Sequence, residues 1–361
     1  MIKKKYLAID VGNDKTKFVL GGIEKDKIVV NNYYIADTPA GIMDDGKIIN
    51  LDGLISFIKG SLKKGRIKGK DLVLSITGTG IITREVQLPK STDEELEKIL
   101  EFDAQQYFPV ELENYVLDFK VLEEIDNEEG VFYKVLLVAA PVNQVDEYMK
   151  VHKRLKKEIA AIDVPANNIC KLLFGRSVVD KDSGNNGLPD EFAVLDLGAR
   201  TTGVYIFSSG KIKFSRILLS GSTDIDGMIA SQLNVDFEKA EEIKIMVGKL
   251  ISDDEIINPN SDEAQISNII KPAINSIMSD INRFIEFYNS RSTGNRLEKI
   301  YLCGGGSKLK GLDIYFKNYF NMPVEYLPYQ NFVVYKGKRK VEEFSDDFVL
   351  LINTLGCLVR L

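Results

Sequence analysis

Asp10 and Asp196 hold equivalent places in a motif that the chain contains twice, as YLAIDVGNDKTKFVL at 6–20 and FAVLDLGARTTGVYI at 192–206. One offset (196 − 10 = 186) also lays Gly12 on Gly198 and Thr16 on Thr202. Each copy reads as an apolar strand, an Asp-x-Gly turn and a second apolar strand. Such a turn gathers backbone N–H groups and small side chains in one place, where they cradle phosphate. A carboxylate at that place repels phosphate unless a cation lies between them, and Mg²⁺ held through water suits the position. Asn13, Asp14, Lys15 and Thr16 supply polar atoms on the first turn, and Arg200, Thr201 and Thr202 on the second. Two facing turns of this kind clamp a nucleotide's phosphates from both sides.

Two further groups have the right chemistry for the rest of a nucleotide. Gly304, Gly305, Gly306 and Ser307 follow a predicted buried strand at 298–303 and let backbone approach a flat ligand. They match neither GxxxxGK[ST] nor GxGxxG, and taken alone they read as an ordinary strand-to-helix turn. Glu241 and Lys244, in the run AEEIK, stand three apart on one helix face, where both can reach a hydroxyl-bearing group such as a ribose. The plain alternative for that pair is a surface ion pair.

Composition narrows the function. A net charge of −6 leaves no basic footprint for nucleic acid. The three cysteines, Cys170, Cys303 and Cys357, sit far apart among apolar neighbours and read as buried reduced thiols, not as a disulfide framework or a zinc site. His152 is the one histidine, expected on the exposed side of a helix, so histidine triads and multi-histidine metal sites are excluded. MIKKK runs directly into a strand, and no apolar stretch reaches the ~18–20 residues that span a bilayer. A cytoplasmic protein is expected.

The elements that position these groups alternate between strand and helix over 361 residues, too many for one ordinary core. After the first hairpin (6–20, then 27–35) the spacing predicts a helix at 51–64 and strands at 71–76 and 81–88. A helix at 91–108 carries a capping box of Ser91 and Glu94 and ends at Pro109. Strands at 115–122 and 131–140 flank an acidic loop at 123–130, and Asn143 caps a helix running to about residue 157. A strand follows at 159–164. The polar stretch 180–191 marks a linker just before the second hairpin. Helices around 240–244 and 264–290 follow, and the chain closes in an apolar helix, FVLLINTLGCLVRL.

In this order the two phosphate turns, the AEEIK helix and the GGGS turn resemble the actin/chaperone/sugar-kinase superfamily, and within it the FtsA/PilM family of type IV pilus assembly and cell division. The likeness spans residues 5–361 and is carried by AIDVGNDKTK at 8–17, QLPKSTDEELEKILEFDAQQYFPVELENYVLDF at 87–119 and LVAAPVNQVDEYM at 137–149. IDVPANNI at 162–169, CGGGSKLKGL at 303–312 and the closing LGCLVRL add to it. It implies an α/β, actin-like (ribonuclease H-like) duplicated fold, with a nucleotide cleft between two lobes. The first lobe would be 1–71 with 151–185, and the second 190–361 with a helical subdomain at about 222–290. A small inserted subdomain would fill 72–150. The ligands implied are ATP and Mg²⁺. Asp10 and Asp196 would hold the metal through water, with Gly12, Asn13, Lys15 and Thr16 on one side of the phosphates and Gly198, Thr201 and Thr202 on the other. Glu241 and Lys244 would meet the ribose, and Gly304, Gly305, Gly306 and Ser307 the adenosine.

The family pattern places a water-orienting Glu or Gln just before a proline in the turn linking the lobes. Here Val164 precedes Pro165, and Asp163, the catalytic candidate, stands one residue earlier. ATP binding with slow or negligible turnover is therefore expected. The resemblance further implies that the insert receives the cytoplasmic N-terminal segment of the inner-membrane protein PilN, with pilus motor ATPases as further partners. The chain would then lie at the inner face of the membrane through those partners, since no amphipathic tail follows residue 361. The rival readings are an FtsA- or MreB-like filament former and a small-molecule kinase of the same superfamily.

Overall fold

The computed structural model describes residues 4–25, 27–128, 130–175, 187–252, 255, 257–291, 296–328 and 333–360. Its first sheet begins with the hairpin β1 (Tyr6–Val11) and β2 (Lys15–Glu24), to which β3 (Lys27–Asp37) adds antiparallel. A small hairpin, β4 (Met43–Asp44) and β5 (Lys47–Ile48), leads into α1 (Leu51–Lys64) and then β6 (Asp71–Ser75), which lies parallel to β1. The insert comprises β7 (Ile82–Pro89), α2 (Asp93–Asp103), β8 (Tyr115–Asn127) and β9 (Gly130–Pro141), with its own sheet in the order β7-β9-β8. The chain then returns through α3 (Val142–Leu155) to β10 (Glu158–Asp163), beside β6, and crosses over on α4 (Pro165–Phe174).

The second sheet repeats this plan. The elements β11 (Glu191–Leu197), β12 (Thr202–Ser208) and β13 (Lys211–Leu218) form its antiparallel part. The helices α5 (Ser222–Leu233), α6 (Phe237–Val247) and α7 (Asp262–Arg291) intervene before β14 (Lys299–Cys303), α8 (Leu312–Phe320) and β15 (Val324–Tyr326). Its order β13-β12-β11-β14-β15 corresponds strand for strand to β3-β2-β1-β6-β10 in the first sheet. The duplication seen in the short motif is thus a duplication of whole sheets. Finally β16 (Val333–Tyr335) pairs with β3, and α9 (Val341–Asp347) and α10 (Ile352–Cys357) follow.

One buried cluster joins both sheets. Ala8 and Val19 of the first pack with Phe192 and Phe207 of the second, through Ile169 and Leu173 of α4 and Leu355 of α10. Phe192 and Phe207 stack with centroids 5.2 Å apart. Pro165 opens α4, where the missing N–H costs nothing. Gly356 lets α10 lie directly on α4, because a Cβ there would come within 2.0 Å of the Asn168 carbonyl oxygen. Cys170, Cys303 and Cys357 are free and buried, as expected.

Several expectations shift. The α2 capping box is Thr92 with Glu95, one residue later than Ser91 and Glu94, because the Thr92 hydroxyl is the one that meets the N3 amide. The helix stops at Asp103 and tightens into a 3₁₀ turn at Ala104–Tyr107. Most of the supposed acidic loop is strand, since Glu123 and Glu124 pair across to Lys134 (3.4 Å) and Lys90 (2.8 Å). Asn143 lies inside α3 instead of capping it, and His152 is half-buried with Nδ1 3.2 Å from the Lys157 carbonyl oxygen. The closing apolar run is a 3₁₀ turn followed by the short α10. Residues 180–186 of the expected linker lie outside the described residues. β6 and α3, drawn into the insert at 72–150 by sequence, belong with the first sheet; β16 and α10, drawn into the second lobe, return to the first.

Candidate functional site

The two hairpins meet across a cleft of about 420 Å³, within the range of small-ligand sites. Their turns are built alike. Gly12 N–H donates to the Lys15 carbonyl (3.2 Å) and Gly198 N–H to the Thr201 carbonyl (2.9 Å). A Cβ at either glycine would lie 2.7 or 2.8 Å from that same carbonyl, so both turns demand glycine. Asp10, Gly12, Asn13 and Lys15 line the first wall, and Asp196, Gly198, Arg200 and Thr201 the second.

Thr16 and Thr202, the repeated hydroxyls, are not in that lining. Both are fully buried. Thr16 Oγ1 lies 2.8 Å from Thr38 Oγ1, which in turn donates to the Gly12 carbonyl. Thr202 Oγ1 donates to the Ser220 carbonyl at 2.8 Å. In each lobe this threonine staples the hairpin turn to the next loop, so its recurrence comes from the shape of the turn and not from contact with a ligand.

The symmetry breaks at one position. In the register, Asp10 faces Lys17 and Asp196 faces Gly203. A Cβ at Gly203 would meet the Tyr205 hydroxyl at 2.5 Å, so no side chain fits there. Lys17 serves both carboxylates. Its Nζ is 3.4 Å from Asp10 Oδ2, and its charge favours ionised Asp196 as well. Burial nevertheless pushes the Asp196 carboxyl up, assisted by the neighbouring Asp10 charge and opposed by Lys17 and by the Asn353 amide. Lys15 is turned outward to Asp37 and Asp14. Burial disfavours its charge, yet those carboxylates outweigh it and raise its pKa.

The far end of the cleft is lined by Glu241 and Lys244 on α6, Ser222 and Ile225 on α5, and Gly305 and Gly306. Lys244 does not pair with Glu241. Its Nζ donates to Asp226 Oδ2 at 2.6 Å and to the Ser222 carbonyl at 3.4 Å. Burial pushes the Asp226 carboxyl up against the pull of Lys244. Gly304 and Ser307 support the turn from behind. Gly304 has φ +84°, and a Cβ there would stand 2.5 Å from Asp196 Oδ1, while Ser307 Oγ donates to the Gly304 carbonyl at 2.7 Å.

Asp163 stands apart from the cleft. It accepts from Lys171 Nζ (2.5 Å), Arg360 Nη1 (2.8 Å) and Asn167 Nδ2 (2.9 Å), so its carboxylate is fully engaged away from the lining. The expected catalytic role is corrected to a structural one. Val164, at the water-orienting position, is apolar and 8% exposed.

Sequence reasoning passed over Lys17, Asp226 and Asn353. Lys17 was visible as the residue opposite Asp10 once strand register is fixed, whereas Asp226 and Asn353 carry no local signal. The donor set suits a hydrated divalent cation with phosphates. Asp10 and Asp196 interact across the cleft, which Asp14 and Glu241 also line, and no group of three or more His, Cys, Asp or Glu gathers as an all-protein metal site among the described residues. The buried oxygens Asn13 Oδ1 and Asn353 Oδ1 lack hydrogen-bond partners there. That leaves acceptors for water or ligand hydrogens.

Comparison with known proteins places the chain. Residues 8–356 match the family described as type IV pilus assembly protein PilM. The cell division protein FtsA of Buchnera aphidicola subsp. Baizongia pistaciae is 23% identical, covering 89% of this chain and 83% of its own length. FtsA of Bacillus subtilis is 22% identical, over 77% and 68%. Among solved structures, a PilM-PilN type IV pilus biogenesis complex superposes with TM-score 0.81 at 24% identity, covering 98% of both chains. MreB 5 of Spiroplasma citri bound to AMPPNP gives 0.52 at 16% identity, covering 98% of this chain and 95% of that one. The fold is actin-like.

Proposed function

The chain belongs to the PilM family of type IV pilus assembly proteins, and on that premise we propose that it is an ATP-holding, actin-like scaffold of the pilus machine. The observation that carries this reading is Asp10 and Asp196 lining one cleft, with Lys17 beside Asp10 and its charge acting on both. In it, Asp10 and Asp196 hold a hydrated Mg²⁺, which when bound neutralises the phosphates against the two carboxylates. Asn13, Gly12, Gly198 and Thr201 present the turns to the phosphates, and Lys17 takes the place that sequence assigned to Lys15. Glu241, with Lys244 fixed by Asp226, faces the ribose, and Gly305 and Gly306 let the adenosine lie against backbone. With Val164 apolar and Asp163 engaged elsewhere, no side chain at that turn orients water, and turnover is slow.

The insert built from β7, α2, β8 and β9 is the surface we assign to PilN, through the cytoplasmic N-terminal segment of that protein. Support comes from the likeness to a PilM-PilN complex over nearly the whole chain. A chain so placed sits at the inner face of the membrane through its partner and links PilN to the motor ATPases. No helix among the described residues is long and apolar enough to cross a membrane itself.

Thermal denaturation with and without ATP–Mg²⁺ tests the clamp. ATP at 100 times its Kd stabilises by about 2.7 kcal/mol if it binds the native state alone. No shift in the wild type, or an undiminished one in Asp196→Ala, refutes the reading.

A further inference from the structure

Asn353 stands on α10, a helix held hard against the first lobe. Gly356 lies on the Asn168 backbone, and Leu355 and Cys357 are buried with Ala8 and Ile169 in the shared core. From this fixed base the side chain crosses to the second lobe, where Nδ2 donates to Asp196 Oδ2 at 3.1 Å. The orientation of the amide is settled by chemistry, since a carboxylate oxygen accepts from the NH₂ and cannot pair with the amide oxygen. Oδ1 is therefore turned away from Asp196. It is buried, belongs to a residue that lines the cleft, and has no partner among the described residues. A buried acceptor without a partner carries a desolvation cost unless a donor arrives.

We propose that Asn353 is the positioning residue of the cation site: Nδ2 sets the rotamer of Asp196, and Oδ1 accepts a hydrogen from a water on the divalent cation. The proposal rests on the ATP–Mg²⁺ clamp and deepens it. One amide then couples three things: the first lobe through α10, the second-lobe carboxylate, and the hydration shell of the metal. Outer partners of this kind orient the groups that hold a metal and strengthen its binding. Lys17 acts on Asp196 by charge alone, without regard to which oxygen faces the metal. Asn353 supplies direction.

Isothermal titration of ATP at a series of Mg²⁺ concentrations, and in EDTA, tests this. In Asn353→Ala the Mg²⁺ concentration giving half of the metal-dependent gain in ATP affinity rises about tenfold, while affinity in EDTA stays within about twofold. Asn353→Asp keeps an acceptor but loses the N–H that holds Asp196 and sets a second carboxylate against it, so its midpoint stays above the wild-type value. The same order appears in Mn²⁺ binding followed by electron paramagnetic resonance with ATP present. Equal losses with and without metal in Asn353→Ala, or an unchanged midpoint, overturn the role of Asn353 and leave the clamp standing. If the alanine variant does not fold, Asn353→Asp decides, and a midpoint at or below the wild-type value overturns the proposal. A wild type that binds no ATP overturns the clamp itself and this inference with it.

Discussion

At the scale of single residues, charge is assigned to structure or to the cleft by very short displacements along the chain. Asp163 lies two residues before Pro165, which lines the cleft, yet its carboxylate faces Lys171 and Arg360. Burial opposes its charge, but Lys171 above all, then Asn167 and Arg360, holds its pKa below the ordinary value of 3.8. The stabilisation is therefore present above that value and lost as pH falls through the lower folded one. Removing one partner of a buried pair strands the other, and the Lys171 side chain is only 5% exposed. Asp163→Ala should lower the unfolding free energy by about 3–5 kcal/mol in urea titrations, with the ATP-induced stabilisation intact. Loss of ATP response at unchanged stability would restore Asp163 to the cleft. The repeated Asp and Gly were legible because their chemistry requires them in any such turn. Thr16 and Thr202 recur just as faithfully, and nothing in a sequence says that their hydroxyls point into the protein.

Among the elements, caps and registers decide what is positioned. The Thr92 hydroxyl and the Glu95 carboxylate close the first turn of α2 reciprocally. Thr92→Ala should cost about 1 kcal/mol, read as a shift in denaturation midpoint, whereas Ser91→Ala should leave it unchanged. Equal effects would return the cap to Ser91. Most strands were legible from their apolar runs, and the sheet duplication was implicit in the offset between the two hairpins. The end of the chain was not. FVLLINTLGCLVRL reads as a helix because it is largely apolar, yet it breaks into a 3₁₀ turn and a short helix, of which the helix packs against α4. Its apolar character comes from burial on every side, which period alone cannot separate from a long core helix. Asn353, its one side chain reaching Asp196, was invisible for the same reason.

Across the whole molecule, the insert is joined to the second lobe by a seam of charges. Glu85 of β7 lies 3.5 Å from Lys213 of β13 and 3.2 Å from Lys134 of β9, and Glu123 pairs with both Lys134 and Lys211. Burial, with Lys134 beside it and against the pull of Glu85, pushes the Lys213 ammonium down to about 8. A lysine whose folded pKa is depressed binds its proton more weakly than the unfolded chain does. Its destabilising effect is full below about 8 and fades as pH rises toward its ordinary value of 10.5. Wild type should therefore gain stability relative to Lys213→Gln on going from pH about 7.5 to about 9.5 in chemical denaturation; a constant difference would show Lys213 to be unperturbed. The return of β16 to β3 and of α10 to α4 has a consequence of another kind. The strand at 333–335 and the helix at 352–357 complete a sheet and core begun about 300 residues earlier, so until they are made the opening sheet waits with an open edge and the shared core lacks one wall. Until then the nascent chain exposes apolar surface that the finished protein buries, and that half-built state is the one most prone to aggregate.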